Sequence, residues 1–230
     1  MSVKVSVIVA SFNRPRLLAQ ALASVEAQTH PDVELVLVDE SDLFNVRDLL
    51  VNYKRPVSLI QQFVKPAERK LVNRLGVNMN TGLAMAKGDL VCFLADDDYY
   101  FPTWLEKAVA FFETHPDVSV GYGKLYYTKS MTTTFSPPWA ETRFPIGPVS
   151  RPFGLLDHNQ VVHRRFMLPF KWSHDVEKVG GADAYYFDAL AKGGHLFHPV
   201  DADAAVKRLH SKGLQSSQAE YAYGISGLRE

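Results

Sequence analysis

Three short apolar runs, each ending in polar or acidic residues, constrain the fold more than any other feature of this sequence. The runs are VKVSVIVA at residues 3–10, VELVLV at 33–38 and LVCFL at 90–94. Such runs are typical of strands covered on both faces, as in a parallel sheet. Helical spacing between them, clearest over residues 15–28, gives a βαβαβαβ alternation. We therefore predict an α/β fold with an open, mostly parallel, Rossmann-like sheet and helices on both faces.

Weaker patterns predict the remaining elements. They are a helix near 43–53, a strand near 57–63, a helix near 68–86, a helix opening at Pro102, one or two strands in VSVGYGKLYYT, a long loop over 130–155, a strand at 160–164, a helix near 182–192, a strand near 195–199 and a polar tail from Ser211. The change in character near residue 117 indicates two lobes on one core, so we expect a single domain over residues 1–230.

Charge and cysteine content exclude several classes of protein. The 230 residues carry 25 Lys plus Arg and 25 Asp plus Glu, so the chain lacks the net positive field that draws proteins to nucleic acid or anionic lipid. The single cysteine, Cys92, lies in an apolar run, which favours a buried thiol and a reducing cytoplasm. No apolar stretch reaches the ~18 residues that a membrane-spanning helix needs.

Polar residues follow all three strong strands, at 11–14, 39–42 and 96–98. Ligands of parallel α/β sheets bind beyond the carboxyl ends of the strands, so these residues are candidates for a nucleotide site. Three successive carboxylates raise one another's pKa unless a cation or hydrogen-bond donors compensate, and hard oxygen ligands suit Mg²⁺ or Mn²⁺. The alternative is that the acids cap the helix that opens near Pro102.

Five segments carry motifs: SVIVASFNRP, VELVLVDESD, NMNTGLAMAKGDLVCFLADDDYYFP, GADAYYFDALAKGG and VKRLHS. In these motifs and their order the chain resembles the family 2 glycosyltransferases of the GT-A fold, over about 3–124 and more weakly over about 157–212. The resemblance implies metal-dependent, inverting transfer of a sugar from a nucleotide-diphosphate sugar, expected to be a UDP-sugar, to a hydroxyl of a sugar, glycan or other acceptor. It also divides the chain into a nucleotide-sugar half (about 1–124), an acceptor and catalytic half (about 125–212) and a tail (213–230).

The resemblance implies nucleotide contacts at the ends of the first two strands and at the first acid of the triplet. These residues are Ser11, Asn13, Arg14, Asp39, Ser41 and Asp96. An aspartate at a strand end can accept the N–H of a uracil ring, and Arg14 can stack on a base or meet a phosphate. Asn80, in the family's Asn-x-Gly motif, and Arg208 are expected near the donor and its diphosphate.

The metal motif has two registers, because many relatives have Asp where this chain has Ala95. Either Asp96 and Asp98 form the family's Asp-x-Asp, or Asp97 is the principal ligand while Asp96 faces the ribose. We favour Asp97, with Asp98 and His210 as further candidate ligands of Mn²⁺ or Mg²⁺.

The family's catalytic base is the second acid of a Glu-Asp pair, and this chain has Ala182 followed by Asp183. Asp183 is therefore the expected general base, although alone it reads equally as a helix cap. Asp157 and His158 are candidates for acceptor contact. A metallohydrolase site here is disfavoured, since His158 and His163 are an odd number of residues apart and would face opposite sides of a strand.

Two other functions stay open. The acids missing at Ala95 and Ala182 are compatible with a catalytically silent nucleotide- or glycan-binding domain. A nucleotidyltransferase also uses metal-bound carboxylates on an α/β sheet. A dehydrogenase is disfavoured because no GxGxxG follows the first strand, and the absence of QxxRW favours addition of one sugar at a time over processive polymerisation.

Overall fold

The computed structural model describes residues 2–133, 140–141, 145, 147–167 and 169–209. Within them, the strands are β1 (Val5–Ser11), β2 (Val33–Asp39), β3 (Val57–Gln61), β4 (Leu90–Ala95), β5 (Tyr99–Tyr100), β6 (Val120–Thr128), β7 (Ala140–Glu141), β8 (Val161–Arg164) and β9 (Phe197–Arg208). The α-helices are α1 (Pro15–Glu26), α2 (Arg74–Met85), α3 (Trp104–Thr114) and α4 (Ala182–Lys192).

All of these strands join one sheet, in the order β3-β2-β1-β4-β8-β6-β9-β5, with β7 beside β6. The first four sequential strands pair in parallel, and β6 and β9 also run parallel, whereas β8 is antiparallel to both β4 and β6. The predicted α/β class with an open, mostly parallel sheet is confirmed. Strand order reverses around β1, which lies between β2 and β4, and such a reversal opens a crevice at the carboxyl edge.

The register of the parallel strands brings the three predicted strand ends together. Ser11 pairs with Asp39 across β1 and β2, and Ala10 pairs with Ala95 across β1 and β4. Asp96 therefore follows β4 at the same level as Ser11. The sheet alone gathers side chains that are 28 and 85 positions apart in the sequence.

Helices cover both faces of the sheet, as the apolar runs predicted. On one face, α1 and α3 pack a core that includes Leu18, Leu22 and Trp104. On the other, α2 and α4 pack a second core that includes Met79 and Phe187. Because β1, β2 and β4 lie between these cores, nearly every residue along them is buried, which explains their continuous apolar pattern.

Cys92 lies in the centre of β4 and is fully buried, as predicted. Burial raises the pKa of its thiol to about 12. The thiol is therefore an inert core group.

The helix predicted over 68–86 begins later than its periodicity suggests. A short 3₁₀ turn spans Glu68–Lys70, and α2 starts only after Asn73, whose side chain accepts a hydrogen bond from Gly76 N–H. Further along, a Cβ on Gly82 would lie 2.3 Å from Ile8 Cγ2, so glycine is required for α2 to lie on β1. The Asn-x-Gly motif thus has a packing role within a helix.

Three other predicted elements differ in extent. The weak helix near 43–53 is a 3₁₀ helix at Val46–Leu50, and the strand near 195–199 continues as the twelve-residue β9 because it pairs along the whole length of β6. Within the predicted loop over 130–155, β7 pairs with β6 and Val149 bridges Phe197. The predicted polar tail and His210 lie outside the described residues.

A buried ion-pair cluster follows β2. Glu40 is 2% exposed, and its carboxylate accepts from Arg69 Nη1 at 2.9 Å and from the guanidinium of Arg74. The Arg69 guanidinium also lies 3.6 Å from the centre of the Phe12 ring. The cluster therefore holds residues 69–74, at the start of α2, against the loops that follow β1 and β2.

Glu40→Ala is expected to lower the free energy of unfolding by about 3 kcal/mol, because two partly buried arginines lose their counter-ion. Urea denaturation measures this. Asp201→Asn is the control: the side chain of Asp201 is 98% exposed in its pair with Lys124, so a change below about 0.5 kcal/mol is expected. Equal effects of the two substitutions would contradict the stabilising role of Glu40.

Candidate functional site

Two unsatisfied oxygens lie at the carboxyl ends of β1 and β2. Asp39 accepts at Oδ1 from Ser41 Oγ, at 2.6 Å, while its Oδ2 is buried and has no hydrogen-bond partner among the described residues. The neighbouring Ser11 Oγ is buried without a partner in the same way. A buried polar atom left unpaired costs about 1–3 kcal/mol, so these atoms call for a ligand that donates hydrogen bonds.

Asn13 shapes the loop beside them. Its backbone has a φ of 53°, in the left-handed region that asparagine tolerates better than most residues. Its N–H donates to Ser41 Oγ at 2.9 Å, and its Oδ1 accepts from the N–H groups of Asp42 and Leu43. Asn13 and Ser41 thus join the loops after β1 and β2 and orient Asp39.

Arg14 bridges the first two acids of the triplet. Its Nη1 lies 2.8 Å from Asp96 Oδ1 and 2.8 Å from Asp97 Oδ2, and Asp96 Oδ2 accepts from Phe12 N–H. Burial together with the charge of Asp97 raises the pKa of Asp96 to about 6, although Arg14 opposes this. Asp97 is the more accessible of the two, with 14% of its side chain exposed against 7% for Asp96.

Asp98 lies deeper, at 1% exposure. Its Oδ1 accepts from Arg208 N–H at 2.7 Å and its Oδ2 from Asn159 Nδ2 at 2.8 Å. Burial and Asp97 raise its pKa to about 8. Both Asp98 oxygens are thus engaged, and its role as a metal ligand stays a prediction.

Arg208 lies against the acidic loop. Its guanidinium donates to the backbone oxygen of Asp97 and to Gln20, and its buried Nε has no partner among the described residues.

The three residues predicted for acceptor contact and base catalysis meet in one cluster. His158 Nδ1 lies 3.5 Å from Asp183 Oδ2 and 3.8 Å from Asp157 Oδ1, and His158 N–H donates to Asp183 Oδ2 at 3.3 Å. The other ring nitrogen, Nε2, is buried without a partner among the described residues. Burial lowers the pKa of His158, but the two carboxylates outweigh it and the pKa is raised.

Lys207 balances the charge of this cluster. Its ammonium pairs with Asp157 Oδ2, while Asp157 Oδ1 accepts from Asn159. Burial acts to raise the pKa of Asp157, but Lys207 and His158 lower it to about 2. Both oxygens of Asp157 are engaged within the protein, and its predicted contact with an acceptor stays a prediction.

Two groups are therefore candidates for a divalent cation. Asp157, His158 and Asp183 each offer a ligand atom, and these atoms lie within 4.8 Å of one another. Asp97 offers a partly accessible carboxylate in the acidic loop, where burial and like charge raise the pKa of the neighbouring acids. The donor sets fit different ions, since all-oxygen ligands suit Mg²⁺ or Mn²⁺ and an imidazole suits softer metals as well.

Asn80 is joined to the acceptor side of the site. Its Nδ2 donates to Trp172 O at 2.9 Å and its Oδ1 accepts from Trp172 N–H at 2.9 Å. The Trp172 ring stands edge-on to His158, with centroids 5.9 Å apart. The described contacts of Asn80 thus hold the wall beside His158, and its predicted contact with the donor stays a prediction.

Sequence reasoning missed Asn159 and Lys207 as site residues. One signal was available: Asp157 and Gln160 form a capping box around the 3₁₀ turn His158–Gln160, and an acid followed three residues later by Gln is the signature of that turn. Recognising it would have predicted an ordered turn at residues 157–160.

Comparisons with known proteins match this architecture. Protein CgeD of Bacillus subtilis is 27% identical over 201 residues, which is 83% of this chain and 46% of CgeD. Among solved structures, Staphylococcus aureus TarS 1-349 in complex with UDP-GlcNAc superposes with a TM-score of 0.70 at 20% identity, over 93% of this chain and 61% of that one. The mannosyltransferase PcManGT from Pyrobaculum calidifontis, in complex with GDP-Man and Mn²⁺, superposes with a TM-score of 0.64 at 15% identity, over 96% of this chain and 61% of that one.

These proteins are longer than this chain, which spans less than half of CgeD. In the part of the chain that the structure describes, no helix is both long and apolar enough to cross a bilayer. The structural likeness confirms the GT-A fold that the motifs implied. The family pattern described as Glycosyl transferase family 2 matches residues 6–172, and the chain belongs to that family.

Proposed function

We propose that the protein is a metal-dependent, inverting glycosyltransferase that moves a sugar from a UDP-sugar to an acceptor hydroxyl, one sugar at a time. One observation carries the proposal: the β1–β2–β4 edge places the unsatisfied Asp39 and Ser11 oxygens beside the acidic loop of Asp96 and Asp97. A uracil N–H would satisfy Asp39, and the diphosphate would extend toward the acids. TarS, which shares the fold, has been crystallised with UDP-GlcNAc.

We assign the metal to Asp97. It is the most accessible carboxylate of the triplet, and Mg²⁺ or Mn²⁺ needs only one or two protein carboxylates when substrate phosphates supply other ligands. Asp98, with both oxygens engaged, supports the loop from behind. The expected role of His210 as a further ligand concerns a residue beyond those described. When bound, the ion would neutralise charge on the diphosphate as it leaves.

Asp183 is the proposed general base. It lies in the first turn of α4, where His158 N–H and Ala184 N–H donate to its two oxygens, so the carboxylate is held in one orientation. Ala182 stands where the family's pair has its glutamate. It is 2% exposed and packs in the second core. His158 Nδ1 lies 3.5 Å from Asp183 Oδ2, and the carboxylates of Asp157 and Asp183 raise the pKa of the imidazole against the opposing effect of burial.

The proposed reaction is a single displacement at the anomeric carbon. The acceptor oxygen forms a bond to the anomeric carbon, the bond from that carbon to the diphosphate oxygen breaks, and the acceptor proton passes to Asp183. Attack opposite the leaving group inverts the anomeric configuration. The His158 ring lies beside Asp183, and the Trp172 ring lies beside His158, on the side where the acceptor would enter.

A panel of UDP-, GDP- and dTDP-sugars with Mn²⁺ tests the proposal, with water as the acceptor. We expect binding and slow hydrolysis of a UDP-sugar. Absence of both binding and hydrolysis for every member of the panel would contradict the proposal. Binding without turnover, with water and across sugar acceptors, would instead favour a silent binding domain, which the alanines at 95 and 182 leave as the second candidate. Release of pyrophosphate would indicate a nucleotidyltransferase.

Asp39→Asn is expected to weaken UDP binding by at least about 10-fold, since a hydrogen bond to a charged group contributes about 1.5–3 kcal/mol. Calorimetric titration with UDP and Mn²⁺ measures this. Asp48→Asn, which removes one charge from an exposed position in the 3₁₀ helix Val46–Leu50, is the control and should bind as wild type does. Equal affinities for all three proteins would refute base recognition by Asp39.

A further inference from the structure

We propose that Asn159 is a positioning residue that fixes the acidic loop after β4 relative to the base on α4. The proposal rests on the proposed function, since it concerns the spacing between Asp97 and Asp183. No motif singled out Asn159.

Asn159 is fully buried and connects both halves of the site. Its Oδ1 accepts from Ala95 N–H at 2.8 Å, at the end of β4. Its Nδ2 donates to Asp98 Oδ2 at 2.8 Å and to Asp157 Oδ1 at 2.8 Å. One side chain therefore joins the start and end of the acidic loop to the turn at residues 157–160.

The backbone ladder does not supply this connection. The β4–β8 pairing runs through Leu90, Val91 and Cys92 and stops there, three residues before Ala95. Beyond that point the Asn159 amide links β4 to the segment that precedes β8. The neighbouring residue, His158, donates from its N–H to Asp183. A short path therefore leads from the acidic loop through Asn159 and His158 to the base.

The chemistry of the position requires a carboxamide. Ala95 N–H needs an acceptor, whereas Asp98 and Asp157 need donors, and an amide supplies one acceptor and two donors in a single plane. A carboxylate would place a third negative group between two others. Alanine would remove the described partner of Ala95 N–H and of Asp98 Oδ2, while Asp157 Oδ1 would keep the N–H of residue 159. Asn159 is thus specific to this junction.

Catalysis depends on this spacing because the acceptor oxygen must reach the anomeric carbon in line with the diphosphate. A misplacement of about 1 Å can cost about 10²-fold in rate. Loss of Asn159 should therefore lower the rate of the chemical step more than it lowers donor affinity. The nucleotide contacts at Asp39 and Ser11 do not involve Asn159.

The test compares Asn159→Ala with Gln28→Ala. Gln28 is also a buried amide with three partners, since it donates to Ser24 O and Phe101 O and accepts from Leu105 N–H. We expect Asn159→Ala to lower kcat for UDP-sugar hydrolysis by at least about 30-fold with Kd for UDP within about 3-fold. Gln28→Ala, at a similar loss of Tm, should keep kcat within about 3-fold. If the alanine variant does not fold, Asn159→Ser replaces it, because serine retains an acceptor for Ala95 N–H. Its kcat should lie between those of Asn159→Ala and Gln28→Ala.

Amide hydrogen exchange at Ala95 gives a readout that needs no turnover. Asn159→Ala should lose protection at Ala95, and Gln28→Ala should keep it. Retained protection at Ala95 would overturn the proposal, and so would lost protection with wild-type kcat. If the wild-type protein hydrolyses no sugar nucleotide, the proposed function fails, and exchange at Ala95 alone then decides whether Asn159 holds the loop.

Discussion

Asp183→Asn is expected to lower kcat for UDP-sugar turnover by about 10³-fold while leaving Kd for UDP within about 3-fold. Asparagine has the same size, and its single oxygen can still accept from one of the two N–H groups, of His158 and Ala184, that donate to separate oxygens of Asp183. It cannot take the proton of the attacking hydroxyl. Steady-state hydrolysis and calorimetry on one preparation separate the two quantities.

Asp188→Asn is the matched control for that experiment. Asp188 lies on the same helix and pairs with Lys192 four residues on, at 2.6 Å, in a surface ion pair. Such pairs contribute less than about 1 kcal/mol, so turnover and stability should match wild type. Unchanged hydrolysis in Asp183→Asn would remove the base assignment, as would loss of UDP binding with unchanged chemistry.

Asp97→Asn is expected to abolish the effect of Mn²⁺ on UDP binding, with a loss of at least about 100-fold in affinity when the metal is present. The substitution removes the proposed anionic ligand and leaves the Asp39–Ser41 hydrogen bond, where we propose that the base binds, in place. Titration with UDP in the presence of Mn²⁺ and in the presence of a chelator measures the two affinities. In the presence of chelator, Asp97→Asn should bind UDP with the affinity of wild type.

His158→Gln distinguishes the two candidate metal centres. If the ion binds at Asp97, this variant keeps the response of UDP binding to Mn²⁺, because His158 belongs to the cluster around Asp183. The opposite pattern, with the response lost in His158→Gln and retained in Asp97→Asn, would place the metal among Asp157, His158 and Asp183. Electron paramagnetic resonance of bound Mn²⁺ in the two variants gives an independent reading.

Much of the fold is predictable from the sequence because the central strands are buried on both faces. β1, β2 and β4 are therefore continuous apolar runs. The prediction falls short where tertiary pairing overrides local pattern. β9 includes the small and acidic residues DADAA, which have weak strand propensity, and it extends to Arg208 because β6 pairs beside it. Likewise α2 starts at the Asn73 cap and not at the first apolar residue of the pattern.

Some residues of the candidate site are predictable from the sequence and others are not. Residues that follow strands, such as Asp39 and Asp97, are predictable because the carboxyl ends of parallel strands meet at one edge. Asn159 and Lys207 are not, because their partners are distant in sequence: Ala95 is 64 positions from Asn159, and Asp157 is 50 positions from Lys207. Their roles depend on where the turn at residues 157–160 packs against β4 and β9.

A crystal structure of the protein with UDP and Mn²⁺ tests the central claim most directly. The claim is that the donor lies across the β1–β4 edge, with its base at Asp39 and its diphosphate at the acidic loop. We predict a uracil N–H on Asp39 Oδ2 and an anomalous Mn²⁺ peak coordinated by Asp97. A peak among Asp157, His158 and Asp183, or a uracil bound away from Asp39, would contradict it.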